Sequence, residues 1–488
     1  MIHSQVIYSR IAAVVRELAE NVGRTARSRS LGEDRHYAVA ALSGEGELVS
    51  QIQFDAGHVY LIRESTLALL DFFAFDLAEG DIVVVGDPYH GGSVPQVLTF
   101  VAPTFFEGEM VLFPAVRAEL ADLAGEFAGS LHPTAKETWQ ESIRVTPVKL
   151  YRNGVLQRDI LRFLLRNSRA ATLVRSDIEA IIAALQRTSR DLHSVLRDRG
   201  RQAVESAVAE ASRHSLQYAQ SFLGAWEGLD RTGSAVLQTG GEPLEIQLRL
   251  TVAGGRLQGD FSGTASTSDS PYNIISAHVR GYVMVAALAE ALDGIAFNEG
   301  LLEAVSLTVP QGSLLNPSFP AATGLSDRFT GHQVAQLLWS LLYPHSPRIR
   351  IDGPSPTLVA FAPLGSAEET PPFTLDPGFA LSGEGWSAPV LAGRRLLPSA
   401  EILETRDGFE LLSRELTDEG EILVHLRNRR GDLEATSIVP QGPSGPLGSI
   451  TIATDQGSES PRVLLGSRVP DQAHLWFRYP TYAGGKHE

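Results

Sequence analysis

The sequence predicts a mixed α/β fold: a large multi-layer body with mixed sheets, a central helical segment and a β-rich C-terminal module. Three observations predict it. Pure β runs such as Ile82-Val83-Val84-Val85 are bounded by glycine, proline and acidic turn residues. From about Leu156 to Trp226 the pattern turns to helix after helix, and past Pro344 the chain is rich in proline, glycine and short β runs. The corresponding regions are 1–155, 156–227, 228–362 and 363–488. At 488 residues the length suffices for about three domains and a large core.

Taken in order, Ile7, Ile11, Val14, Val15, Leu18 and Val22 recur at helical spacing, and Gly23 closes the segment. A hairpin follows, 37–42 and 48–54 about the turn Ser43-Gly44-Glu45-Gly46, then a second amphipathic helix over roughly 64–75. Residues 97–105 turn at Glu107-Gly108 to pair with 110–116, and a strand over 145–150 ends at the turn signal Asn153-Gly154. Between them Glu119 and Asp122 stand at i, i+3, the spacing of one face of a helical turn. Segments 159–165, 177–185 and 202–223 form the helical middle. Strands at 235–237, 244–252 and 256–261, a helix over 278–292, a strand at 304–309 and a helix over 333–342 build the second half. Residues 363–372 read as a linker.

Composition narrows the chemistry. The formal charge is −16 and no run of Lys and Arg is long enough for a phosphate-binding stripe, which argues against nucleic acid. With no cysteine, the chain excludes disulfides, thiolate-bound zinc, iron–sulfur clusters and thiol nucleophiles, so any metal needs His and carboxylate ligands. The first residues run straight into an amphipathic pattern rather than a signal peptide, and no apolar stretch is long enough to span a bilayer. A cytoplasmic protein with no membrane contact is expected. No Gly-x-x-x-x-Gly-Lys-Ser/Thr pattern occurs, and Gly91-Gly92 is too short to cradle a nucleotide.

The stretch with the most chemistry is Gly86-Asp87-Pro88-Tyr89-His90-Gly91-Gly92-Ser93, set between two apolar runs. Proline fixes φ, the glycines permit φ > 0, and a rigid turn then presents Asp87, Tyr89 and His90 together. The same residues also suit a plain turn in which Asp87 bonds its own backbone. His58, between a strand and a helix, suits a buried cap as well as a site. Asn273 suits a turn as well as a substrate contact, and Asp327-Arg328 suits a local ion pair. Trp139 and Tyr272 read equally as packing, and Glu137 and Glu141, at i, i+4, as one helix face.

Read as an ordered series, Gly46-Glu-Leu-Val-Ser-Gln51, Gly86-Asp-Pro-Tyr-His-Gly-Gly92, Glu137-Thr-Trp-Gln-Glu141 with Pro147-Val-Lys149, Asp260-Phe-Ser-Gly-Thr264 and Gly312-Ser-Leu-Leu-Asn-Pro317 resemble the hydantoinase B/oxoprolinase family. That family includes B subunits of ATP-dependent hydantoinases and lactamases, the matching half of 5-oxoprolinase, and a subunit of acetone-type carboxylases. The resemblance implies a divalent metal, zinc or manganese, bound by a His and an Asp just after the Asp-Pro-Tyr-His-Gly-Gly turn, a hairpin Asp and a later His. Those positions fall on Val94, Val97, His36 and Glu119. It implies as well a hydantoinase A-like subunit that uses ATP, a paralogous B-type subunit as a further partner, and an amide or ketone substrate. His58 matches a family histidine.

Three functions are then open. The chain is a structural or regulatory subunit with a decayed metal centre. Alternatively it is a catalytic amidohydrolase or carboxylase subunit, in which His36, His90, Glu119 and Asp122 supply acid–base chemistry. In the third, it is a module for a small acid or amide, held by the 86–93 and 323–328 loops. Substrate contacts would come from His58, Asp87, Tyr89, Gly91, Gly92, Asn273, Asp327 and Arg328.

Overall fold

Alternation decides how the centre of the molecule is built. In the strand β3 (Ile82–Gly86), Val83 and Val85 enter one apolar cluster while Ile82 and Val84 enter another, so both faces are buried and every position is apolar. The computed structural model describes residues 2–343, apart from 75, 240–241, 289–290 and 292–296, and beyond them 358–363, 373–375, 404 and most of 408–480.

The sheet containing β3 has eight strands. In chain order they are β1 (Tyr37–Ser43), β2 (Leu48–Gln53), β3, β4 (Val97–Val101), β5 (Thr104–Phe106), β6 (Glu109–Glu119), β7 (Val145–Arg152) and β8 (Val155–Leu156), arranged β2-β1-β6-β4-β3-β7-β8 with β5 paired to β6. Its pairs are all antiparallel. One face packs against α1 (Ile2–Thr25) and the long helix Ala171–Arg199, through Ile11, Val15, Leu18, Ile178, Ile181 and Leu185. The opposite face packs against α2 (Leu61–Phe73), α3 (Ser276–Leu288), α4 (Gly331–Leu342) and a second sheet. That second sheet runs Val305–Thr308, Arg256–Asp260, Leu244–Ala253, Asp230–Leu237, and its first pair is parallel. The mixed α/β architecture is therefore as predicted, with the mixed pairing confined to the smaller sheet.

The helical middle comprises Arg158–Arg166, Ala171–Arg199 and Arg201–Leu223. Near the C-terminus, strands 409–416, 421–428, 474–480, 449–454 and 457–459 form one sheet and 373–375, 358–363, 433–438 and 463–469 another. Phe409, Val424, Leu426, Leu433, Leu475 and Phe477 share a separate small core there. Most of the predicted linker, 364–372, lies outside the described residues. Among the described residues no helix is long and apolar enough to cross a membrane.

One element departs from the expectation. The i, i+3 acids do not sit on a helical turn: β6 extends to Glu119, and Asp122 lies in the loop beyond it. Pairing with β1 on one side and β4 on the other supplies the long-range hydrogen bonds that local spacing cannot show.

Candidate functional site

The Asp87–Gly92 turn is tied down at every point. Asp87 is fully buried, and its carboxylate accepts from the Tyr89 amide (3.0 Å), His90 Nδ1 (2.8 Å) and Arg144 Nη2 (2.6 Å). Asp87 fixes the orientation of the His90 ring through Nδ1, and the His90 side chain is 45% exposed. Gly91 holds φ +77°, and a Cβ there would meet the Glu64 carbonyl oxygen at 2.5 Å. Gly92 has no room for one either, against the Asp87 carbonyl. The Tyr89 hydroxyl donates to the Ala321 carbonyl (2.6 Å) and its ring meets Phe319 edge-on; burial, then Glu141 and Asp87, push the phenol pKa up. Trp139, read equally as packing, is exposed and meets the same Phe319, over which Arg144 lies at 4.3 Å.

A second cluster is buried beneath, on the face of the large sheet that looks toward α3 and α4. Register places Thr99 and Ala38 opposite Arg117, and Val97 opposite Glu119, whose amide donates to the His36 carbonyl (3.0 Å). The small Ala38 leaves space for Arg117, a fully buried arginine that donates to the hydroxyls of Thr99 (2.9 Å), Ser65 (3.2 Å) and Ser93. Its Nε has no hydrogen-bond partner among the described residues. Burial pulls the guanidinium down to about 9, with Asp327 opposing. His36 Nδ1 lies 3.2 Å from one Glu119 oxygen, and Arg328 Nη2 lies 3.3 Å from the other. The three side chains form a chain of ionisable groups only 15% exposed or less.

Three further groups border this chain. His58 is pulled down to about 3 by burial, against the opposing charge of Asp55, and is therefore neutral. His278, on the apolar helix α3, is also held well below its ordinary value, by burial and then Arg117. Glu141 accepts from the Thr323 (2.9 Å) and Gly324 (2.6 Å) amides, yet burial outweighs those bonds and raises it to about 8. The two acids do not line one helix face: Glu137 is the extended cap of the short helix Thr138–Glu141, and Glu141 is its buried last residue. The Thr323 hydroxyl donates to the Ser93 carbonyl (3.1 Å), so the 86–93 and 323–328 loops meet.

The metal implied by the resemblance does not fit these residues. A divalent ion needs several nitrogen or oxygen donors, and only His36 and Glu119 converge at the implied place. Val94 and Val97 are each 2% exposed and carry no lone pair, while Arg328 brings a positive charge to Glu119. Among the described residues no group of three or more His, Asp or Glu is arranged to hold a metal.

Of the residues singled out from sequence, the structure thus brings His36, His58, Glu119, Asp327 and Arg328 into one buried neighbourhood. Asp87, Tyr89, His90, Gly91 and Gly92 lie in the turn above. Two others sit apart in structural roles. Asp122 is fully buried and accepts from the Ala124, Gly129 and Arg169 amides and from the Arg169 guanidinium. Asn273 bonds Ser268, Ser270 and Ala322 backbone with both ends of its amide. Arg117 and His278 were missed by sequence reasoning. The available signal was a lone arginine inside the strand run Phe113-Pro-Ala-Val-Arg117-Ala, and a lone histidine on an otherwise apolar helix.

The fold has solved counterparts. It superposes on the ATP-dependent caprolactamase of Pseudomonas jessenii with a TM-score of 0.88, covering 98% of this chain and 90% of that one at 19% identity. On nucleotide-free acetone carboxylase the TM-score is 0.85, over 98% and 75% at 13% identity. At such identities the likeness is one of fold. In sequence the chain belongs to the hydantoinase B/oxoprolinase family, whose model matches residues 1–420. It is 27% identical over 327 residues to the caprolactamase subunit beta of Pseudomonas jessenii, covering 65% of this chain and 55% of that one. The chain spans 61% of the length of another curated relative and 28% of a third.

Proposed function

We propose that this chain is a B-type subunit of a heteromeric, ATP-dependent complex that hydrolyses a cyclic amide or carboxylates a ketone, and that its own metal centre has been lost. It works in the cytoplasm, and an A-type subunit supplies ATP chemistry because this chain has no phosphate-cradling glycine loop. A paralogous B-type subunit with a complete donor set would carry the metal, leaving this chain a structural or regulatory role. The observation that carries this reading is the pairing of His36 with Glu119 beside two buried valines, with Arg328 on the remaining carboxylate oxygen. Guanidinium, not a metal ion, then balances the charge of Glu119.

A second reading is favoured by the Asp87–His90 dyad. A buried carboxylate that orients a part-exposed imidazole is an arrangement suited to a general base. One experiment separates the two. The chain is co-expressed with an A-type and a metal-competent B-type subunit, and ATP-dependent turnover of a lactam is compared for wild type and His90→Asn. The structural reading expects co-purification, no turnover by this chain alone, and unchanged turnover in the variant complex. Turnover by the isolated chain, or its loss on His90→Asn, would overturn it.

A further inference from the structure

A cleft of about 410 Å³ opens where the starts of α2 and α3 meet the end of the strand Val305–Thr308. Two arginines line it, and they are in opposite states. Arg63 is spent: its Nε and Nη2 hold Glu299 at 2.8–3.0 Å, and Nη1 holds Glu64 at 2.9 Å. Arg280 makes one hydrogen bond among the described residues, from Nη1 to the Tyr60 hydroxyl (3.2 Å), and its guanidinium lies over the Tyr60 ring at 5.4 Å. The nearby carboxylates are thus engaged by Arg63, while most of the Arg280 fork is unclaimed. Tyr60 is 3% exposed and holds φ +72°, a conformation costly for a bulky residue, and it stands between the two guanidinium groups.

The rest of the wall matches a partner for that fork. Ser276, whose hydroxyl has no protein partner among the described residues, opens α3, where the His278 and Val279 amides bond the Ile275 carbonyl and those of Ser276 and Ala277 have no partner within the helix. Leu307 and Val309 supply an apolar side. We propose that this cleft binds a small aliphatic carboxylate, seated two-pronged on Arg280 near the start of α3, with its alkyl end against Leu307 and Val309. A planar monoanion suits a single open guanidinium; phosphate, as a dianion, would call for two. The assignment stands apart from the subunit role proposed above.

The test uses the full chain and three probes: sodium butanoate, butanamide and inorganic phosphate, followed by calorimetry and by the shift in melting temperature. Saturable binding of butanoate is expected, with butanamide and phosphate weaker by about tenfold or more. Arg280→Gln should abolish it, and Arg280→Lys, which keeps the charge without the fork, should weaken it about tenfold while circular dichroism matches wild type. Absence of saturable butanoate binding, equal binding of phosphate or butanamide, or undiminished binding by a folded Arg280 variant would each overturn the assignment.

Discussion

Asp122 and Glu119 stand three residues apart and live in different physical worlds. Asp122 is saturated: three backbone amides and an arginine point at a carboxylate that water never reaches. Glu119 sits among groups with spare capacity, beside an imidazole at 3.2 Å, a guanidinium at 3.3 Å, and an Arg117 whose Nε is unbonded among the described residues. The first arrangement holds a loop together. The second keeps buried charge in a place with little structural need of it, and that is where a site, working or retired, is to be sought.

The contrast can be broken by substitution. Asp122→Ala should be the most damaging change, costing about 3–5 kcal/mol in denaturant unfolding, because it strands several buried amides and the Arg169 charge. Glu119→Gln should cost less than half of that. A reversed order would show Glu119 to be the true anchor. Glu141→Gln should cost about 1–3 kcal/mol, since the new amide can accept from only one of the Thr323 and Gly324 amides.

Titration sharpens the same contrast. His58 is held at about 3 when folded, so the unfolded chain binds the proton first and stability is lost as pH falls from about 6.5 toward 3. Glu141, raised to about 8, works the other way: its contribution is full below about 4.5 and is lost as pH rises toward 8. His278, also held low, adds to His58, so Glu141 opposes two groups between about 4.5 and 6.5, leaving an acid limb of up to about 2.8 kcal/mol per pH unit and an alkaline limb of up to about 1.4. Urea midpoints against pH should show both, and Glu141→Gln should flatten the alkaline limb alone. At the small end, Arg249→Ala removes an exposed pair with Asp230 and should leave the urea midpoint indistinguishable from wild type in the same assay.

How far the sequence carried the account depended on where the hydrogen bonds go. Helices over 201–223 and 331–342 were legible because their apolar stripes are local, as was β3 from its unbroken valines. The end of β6 was not, because partners 20 and 81 residues away, Leu98 opposite Ala118 and Tyr37 opposite Ala118, fix it as strand. The turn glycines were legible from residue type alone. The Arg117 hydroxyl cage was not, since Ser65, Ser93 and Thr99 come from three separate segments and none is distinctive by itself.

The central claim, that side chains have taken over from a cation at this centre, meets its most direct test in the divalent-metal content of the purified protein, alone and in its complex. Wild type should hold far less than one zinc or manganese per chain, and Val94→His with Val97→Asp should raise that content. One tightly held ion per wild-type chain, released on His36→Ala, would contradict the account.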